Sequence, residues 1–238
     1  GFASFPGLDD AFILDASTLA RKQVESEVSK EFVYGETVRD WSFTPSEFAI
    51  APYSESFDLL PLNTNSGWFR HLWRYKTSLE SVVSFARRTR KQNGDPWWGW
   101  YRWIPAKYKN RNSIVFAAVA SHNHFVFLRG GKVFKQSAPV IKLKADATDN
   151  EFLSLLGPLN SSVGCFWMKQ VFFPKGGDHV GQEGARVRRT WWDERYDHAG
   201  TQLLSFPLPK VRPVGICQKL DLLGQEYASL LADLGRND

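Results

Sequence analysis

The sequence predicts a mixed α/β fold of the α+β kind: a twisted, largely antiparallel sheet flanked by helices, closed by a long C-terminal helix. Three observations carry this expectation. Short apolar runs follow one another at hairpin-like spacing, with glycine or proline between them. Two Thr-x-x-Glu signatures mark helix starts. Apolar residues at 216, 220, 223, 227, 230 and 231 form one stripe of a helix. At 238 residues the chain is long enough to bury a core without disulfides or metals.

Taken in order, Phe5, Leu8, Phe12 and Leu14 alternate with polar or small residues and predict one or two short strands around Asp9-Asp10. Phe32-Val33-Tyr34 reads as a strand ending at Gly35. Runs 41–44 and 48–53 are strands bounded by Pro45 and Pro52, as edge strands or strand ends are. The cluster 63–67 is a turn. A helix over 78–92 follows from the Thr77–Glu80 capping box, the periodic Leu79, Val82, Val83 and Phe85, and the cations of its last turn. Gly94 and Pro96 end it. Residues 114–119 form a buried strand, and Gly130-Gly131 joins strands 125–128 and 133–134 as a hairpin. Strand 140–143 precedes a helical stretch over 149–169, opened by the Thr148–Glu151 box, broken at Gly157-Pro158 and recapped at Asn160-Ser161-Ser162. The glycine-rich stretch 174–184 reads as a mobile loop and 203–206 as a strand before Pro207.

Composition excludes several classes. Cys165 and Cys217 are far apart and have no metal-ligand spacing, which predicts free thiols in a reducing compartment. No secretory leader is visible, and the longest uncharged stretch, 112–128, is too short and polar to span a bilayer. A cytoplasmic protein without a membrane partner is expected. The chain opens at Gly1 in what reads like the middle of a fold, so a fragment is expected.

Charge is distributed unevenly. Residues 1–69 hold 4 basic and 11 acidic groups, residues 70–144 hold 16 and 2, and residues 145–238 hold 10 and 12. The central net charge of +14 suits a polyanion opposite it, unless the fold spreads it or a neighbouring domain offsets it.

Catalytic signatures are missing. There is no glycine-bearing turn for S-adenosylmethionine after a first strand and no Asn/Asp-Pro-Pro-Tyr/Phe. Asp95-Pro96-Trp97-Trp98 lacks the second proline and follows a helix stop, so it reads as a turn with two packing tryptophans. His122-Asn123-His124 reads as a polar hairpin end rather than a nuclease or metal site. The cluster Trp97, Trp98, Trp100, Tyr101 and Trp103, interleaved with Arg102, Lys107, Lys109 and Arg111, reads as core beneath a basic surface before it reads as a base-stacking platform.

Several segments together carry a family likeness. Leu155-Leu156-Gly157-Pro158-Leu159-Asn160-Ser161-Ser162, then Cys165-Phe166-Trp167-Met168-Lys169 and Lys175-Gly176, resembles target-recognition domains of combined restriction-modification enzymes. The longer form resembles the C-terminal specificity region of PglX-type adenine-specific DNA methyltransferases of BREX and phage-growth-limitation defence systems. Tyr34–Trp41 resembles the entry segment of such domains, 113–116 and 125–127 their paired central strands, and Gly7–Phe12 the end of the catalytic domain. The resemblance covers about 7–210. It implies a target-recognition domain over 1–210, whose first 20 residues resemble the tail of the catalytic domain, and a helical spacer over 211–238.

The resemblance further implies sequence-specific recognition of double-stranded DNA for host marking by adenine-N6 methylation. The catalytic domain would be a partner in cis and would hold S-adenosylmethionine; this segment would hold no cofactor or metal and perform no catalysis alone. The charge pattern and side-chain types give the expected DNA contacts: Arg87, Arg88, Arg90 and Lys91 for phosphates, Arg70 and Arg74 also on DNA, and Lys175, His179, Gln182, Arg186, Arg188 and Arg189 on segment 175–189, which carries part of the base reading. Should that stretch carry no readers, the turns at Arg70–Arg74 or His122–His124 are the next place to look. The competing reading is a protein-interaction module whose basic surface docks an acidic partner, another defence component or a phage DNA mimic.

Overall fold

A computed structural model describes residues 4–83, 87–109, 112–177, 179–180, 186–187, 190, 192–198 and 200–234. The fold is mixed α/β with mostly antiparallel pairing and a long C-terminal helix, as the sequence predicts. The chain opens with α1 (Asp9–Phe12), β1 (Ile13–Leu14), α2 (Ala16–Lys22), β2 (Ser29–Val33), β3 (Val38–Arg39), β4 (Ser42–Phe43) and β5 (Phe48–Ile50). Helices α3 (Gly67–Trp73), α4 (Lys76–Ser81) and α5 (Arg90–Asn93) follow, then strands β6 (Ser113–Phe116), β7 (Val119–Ala120), β8 (Phe125–Leu128), β9 (Val133–Phe134) and β10 (Val140–Ile141). The last third holds α6 (Asp149–Asn160), α7 (Ser162–Val171), β11 (Phe173–Gly176), β12 (His179–Val180), β13 (Arg186–Val187), β14 (Arg195–Asp197), α8 (Gly200–Leu203) and α9 (Val214–Leu234). The backbone divides into two compact units, one of 1–33, 45–109 and 131–136, the other of 34–44, 110–130 and 137–238.

The first unit is built on the sheet β1-β5-β2-β9, antiparallel except for β2 beside β9. Its tryptophans are structural. The indoles of Trp98, Trp100 and Trp103 donate to the carbonyls of Leu60, Ile50 and Phe57 at 2.9, 2.8 and 3.1 Å. Rings of Tyr53, Trp103 and Tyr108 stack in succession at 4.1 and 4.6 Å. Buried aromatics with a satisfied polar edge are core elements, so the sequence's aromatic richness is consumed by packing here.

Three expectations are corrected in this unit. Residues 9–12 form α1 rather than a strand. The single helix over 78–92 is two pieces, because the chain turns back at a Val83–Thr89 bridge. Thr77 lies inside α4, and the working capping box is Thr89 with Gln92, whose side chains accept from each other's backbone N–H at 3.2 and 2.8 Å. Helix α3 was not foreseen. Its first N–H groups, on Gly67 and Trp68, donate to the Glu25 carboxylate at 2.8 and 3.2 Å, a cap supplied from more than forty residues away.

The hairpin at Gly130-Gly131 is also overturned. Both glycines are left-handed (φ 65° and 54°), but β8 pairs with β6 and β9 runs parallel to β2. Phe32, Val33 and Val133 are buried there, and burying them decides the pairing over the local turn signal.

The second unit centres on the sheet β10-β6-β8, with β6 and β8 buried along their full length. Helix α6 covers it through Phe152, Leu153, Leu156 and Leu159, and Phe152 stacks on Phe127 at 4.8 Å. Pro158 does not break α6; the helix runs to Asn160. Ser161 then caps α7, accepting from Gly164 N–H at 2.9 Å, as expected. The Asn160 amide mimics a strand neighbour, accepting from Phe125 N–H at 3.0 Å and donating to Phe125 C=O at 2.8 Å. Asn123 donates to the carbonyls of Leu159 and Ser161, at 2.6 and 3.1 Å. The Leu-Asn-Ser segment is therefore a scaffold that fastens the α6–α7 corner to β8. Asn160→Ala should lower the unfolding free energy by roughly 2 kcal/mol, two bonds at about 1 kcal/mol each; an unchanged urea midpoint would refute this role.

Within the stretch expected to be a loop, β11 joins a second sheet, β11-β14-β7, and β12 joins the ribbon β12-β13. The expected strand over 203–206 is instead the end of α8 and a turn, with Phe206 edge-on to Trp167 at 5.3 Å. Helix α9 begins at Val214 and packs on α6 and β4. Its buried residues are Cys217, Asp221 and Gly224, so the apolar stripe read from the sequence faces outward. Among the described residues no helix is long and apolar enough to cross a membrane.

Candidate nucleic-acid interface

Six of the expected DNA contacts lie in the first unit. Arg74, Arg87, Arg88 and Lys91 are exposed. Arg87 sits in the left-handed region (φ 58°), an uncommon backbone state for a side-chain-bearing residue. Arg70 is also exposed but tethered, donating to Asn65 C=O at 2.9 Å and Gln23 Oε1 at 3.2 Å. Lys76 and Lys91 share Glu80 at 3.7 and 4.0 Å, and Lys76 lies over the Trp73 ring at 4.6 Å. Helices α4 and α5 thus present several cations around one carboxylate.

Arg90 must be removed from this set. It is 4% exposed and donates to the carbonyls of Gly99 and Pro96 at 2.8 and 2.7 Å. Burial is the first cause lowering its basicity. Its guanidinium holds the 96–100 turn closed and cannot reach a phosphate. Within that turn Trp97 is buried, so Asp95-Pro96-Trp97-Trp98 is the packing turn the sequence suggested.

The other six contacts fall in the second unit. Lys175 pairs with Asp197 at 3.1 Å, and Gly176, with φ 75°, marks a register shift against β14. Strands β12 and β13 are antiparallel, with His179 opposite Val187 and Val180 opposite Arg186. His179 is exposed. Gln182, Arg188 and Arg189 lie outside the described residues, as does the side chain of Arg186. What the sequence presents as a glycine-rich loop is in its described part a strand pair on a small sheet. A two-stranded ribbon has the width to enter a major groove.

Sequence reasoning singled out His122–His124 but missed the partners, Asp40 and His198, that gather there in a polar cluster beside this sheet. The His124 Nδ1 lies 2.6 Å from Asp40 Oδ1, the His122 Nδ1 lies 3.0 Å from Ser121 Oγ, and the two imidazoles are 6.4 Å apart. His198, 3% exposed, packs edge-on against Phe172 at 5.1 Å. The residues converge through the β7–β14 pairing, which no local pattern announces. No group of three metal-binding side chains occurs among the described residues.

Burial, then the neighbouring His124, pushes the His198 imidazole down to about 4. Burial also lowers His71, whose Nε2 lies 3.0 Å from Ala11 C=O. An unfolded histidine titrates near 6.5, so between there and about 4 the unfolded chain binds a proton that folded His198 refuses. Stability from His198 is therefore complete above about pH 6.5 and lost on acidification, on the order of 3 kcal/mol by pH 4. Urea midpoints measured from pH 7 to 4.5 should fall less steeply in His198→Leu than in the parent; equal slopes would contradict this.

Over 229 residues, 96% of its length, the chain is 41% identical to the adenine-specific methyltransferase PglX of Streptomyces coelicolor. The match covers 19% of that protein, so the chain spans about a fifth of its curated relative. No protein-family model matches the chain. The resemblance to PglX-type methyltransferases is thereby borne out.

Proposed function

From this homology to a segment of a PglX-type adenine-specific methyltransferase, we propose that the chain is the DNA target-recognition part of such an enzyme in bacterial anti-phage defence. S-adenosylmethionine and the methyl-transfer step belong to the remainder of the protein. The observation that carries the reading is that nearly the whole chain matches an adenine-specific methyltransferase, while its own sequence holds neither methyltransferase signature. What it offers is cation: Arg74, Arg87, Arg88 and Lys91 exposed in the first unit, and the arginine-bearing β12–β13 ribbon in the second.

In this division of labour the first group supplies phosphate contacts, which set register and salt-dependent affinity. The segment 175–189 supplies base-edge contacts, since arginine pairs with guanine and glutamine with adenine. Fluorescence anisotropy with a random-sequence duplex at 50 and 200 mM salt tests the first half. Affinity should fall steeply between them, by 10³-fold or so if about six phosphates are contacted. Salt-insensitive or absent binding would move the basic surface to an acidic protein partner. The second half is tested in the full-length enzyme, where Gln182→Ala, Arg186→Ala or Arg188→Ala should change which adenines are methylated genome-wide. An unchanged motif and occupancy in all three would place the readers elsewhere.

A further inference from the structure

Helix α9 carries two longitudinal stripes. Cys217, Asp221 and Gly224 are buried in the second unit. Ile216, Leu220, Leu223, Tyr227, Leu230 and Leu234 are exposed, each between 37% and 66%. Their spacings are 4, 3, 4, 3 and 4 residues, the alternation of a coiled-coil seam. A helix packed on one side of a sheet layer needs one apolar face, and here the face of large aliphatic side chains is the one left over. Contiguous apolar stripes of this kind on a folded surface mark an interaction site.

We propose that this seam docks an amphipathic α-helix in the part of a PglX-type methyltransferase that lies outside the fifth matched by this chain. The heptad spacing selects a helix as occupant, because knobs at 3.5-residue intervals fit only between the side chains of another helix. The match to 19% of PglX means that four-fifths of such a protein is available to supply it. A partner helix in the same polypeptide meets the seam at an effective concentration in roughly the millimolar range, so it occupies the seam ahead of a second copy of the chain in dilute solution. This inference rests on the homology and not on DNA recognition; loss of DNA binding would leave it standing.

The test places a photoreactive p-benzoylphenylalanine at position 223 of the full-length methyltransferase carrying this segment. Position 223 is exposed and outside the buried stripe, so the substitution leaves folding intact. After irradiation and digestion, mass spectrometry should find an intramolecular cross-link to a helical peptide outside residues 1–238. A cross-link within those residues, one between two copies, or none would overturn the proposal. As a second readout, Leu223→Asp with Leu230→Asp should leave the urea midpoint of the 238-residue chain unchanged, yet speed amide exchange in the full-length enzyme's docked helix at least tenfold. Unchanged exchange there would equally overturn it.

Discussion

Replacing Arg87, Arg88 and Lys91 together by alanine should weaken binding to a random-sequence duplex about 100-fold at 0.15 M salt and reduce the slope of log affinity against log salt by about three. Each phosphate contact releases close to one counterion, worth roughly 1 kcal/mol at that salt, and three contacts sum to about 3 kcal/mol. The side chains suit a clean test. All three are exposed, and Lys91, 77% exposed, stands 4.0 Å from Glu80 in a long surface pair. Surface pairs of this kind contribute little to stability, so folding should survive. Arg90 must be left in place, because removing it would strip the 96–100 turn of its three guanidinium-to-carbonyl bonds and confuse unfolding with lost affinity. A triple variant that binds with parental affinity and slope would show that this surface faces away from DNA.

The difference between Arg90 and its neighbours shows where sequence reading stops. All four cations fall in one basic run, and only the fold shows that one of them spends its charge on backbone carbonyls. Local signals that depend on nearby residues survived: the Thr148–Glu151 box, the Ser161 cap and the strand at 125–128, while the strand expected over 114–119 ends at Phe116 and Val119–Ala120 pairs elsewhere. Signals settled at long range did not. The Gly130-Gly131 turn is left-handed as a hairpin requires, but β8 pairs with its neighbour β6, and β9 with β2 near the start of the chain. Helix α3 draws on Glu25 beside its local Ser66 cap, and the histidine cluster forms through a pairing of β7 with β14, more than seventy residues apart. The period of α9 was legible while its buried face was not, since that face is set by Asp221 and Gly224, residues that a hydrophobic pattern passes over.

Those two residues define the other large effect. Gly224→Ala should lower the unfolding free energy by roughly 2–3 kcal/mol, against a gain in exposed Gly215→Ala of up to about 1 kcal/mol. A β-carbon at 224 would lie 2.2 Å from the Trp41 carbonyl oxygen, a backbone atom that cannot rotate away. Trp41 cannot yield, because its N–H donates to Phe125 C=O at 3.0 Å and its φ is already 63°. Nor can α9 slide. One turn earlier Asp221, 4% exposed, accepts from Arg129 at 2.8 Å, and Arg129 holds Asp149 at the start of α6 at the same distance. Two turns earlier the Cys217 sulfur occupies the space beside Gly157, where a β-carbon would come within 2.4 Å. The helix is thus fixed at 217, 221 and 224, and an added methyl must distort one of these contacts. At Gly215 nothing lies within 4 Å, so alanine there brings only its helix preference. Urea unfolding followed by circular dichroism separates the two: the midpoint should fall for Gly224→Ala and hold or rise for Gly215→Ala. Equal midpoints would mean that α9 is not seated on Trp41 in solution.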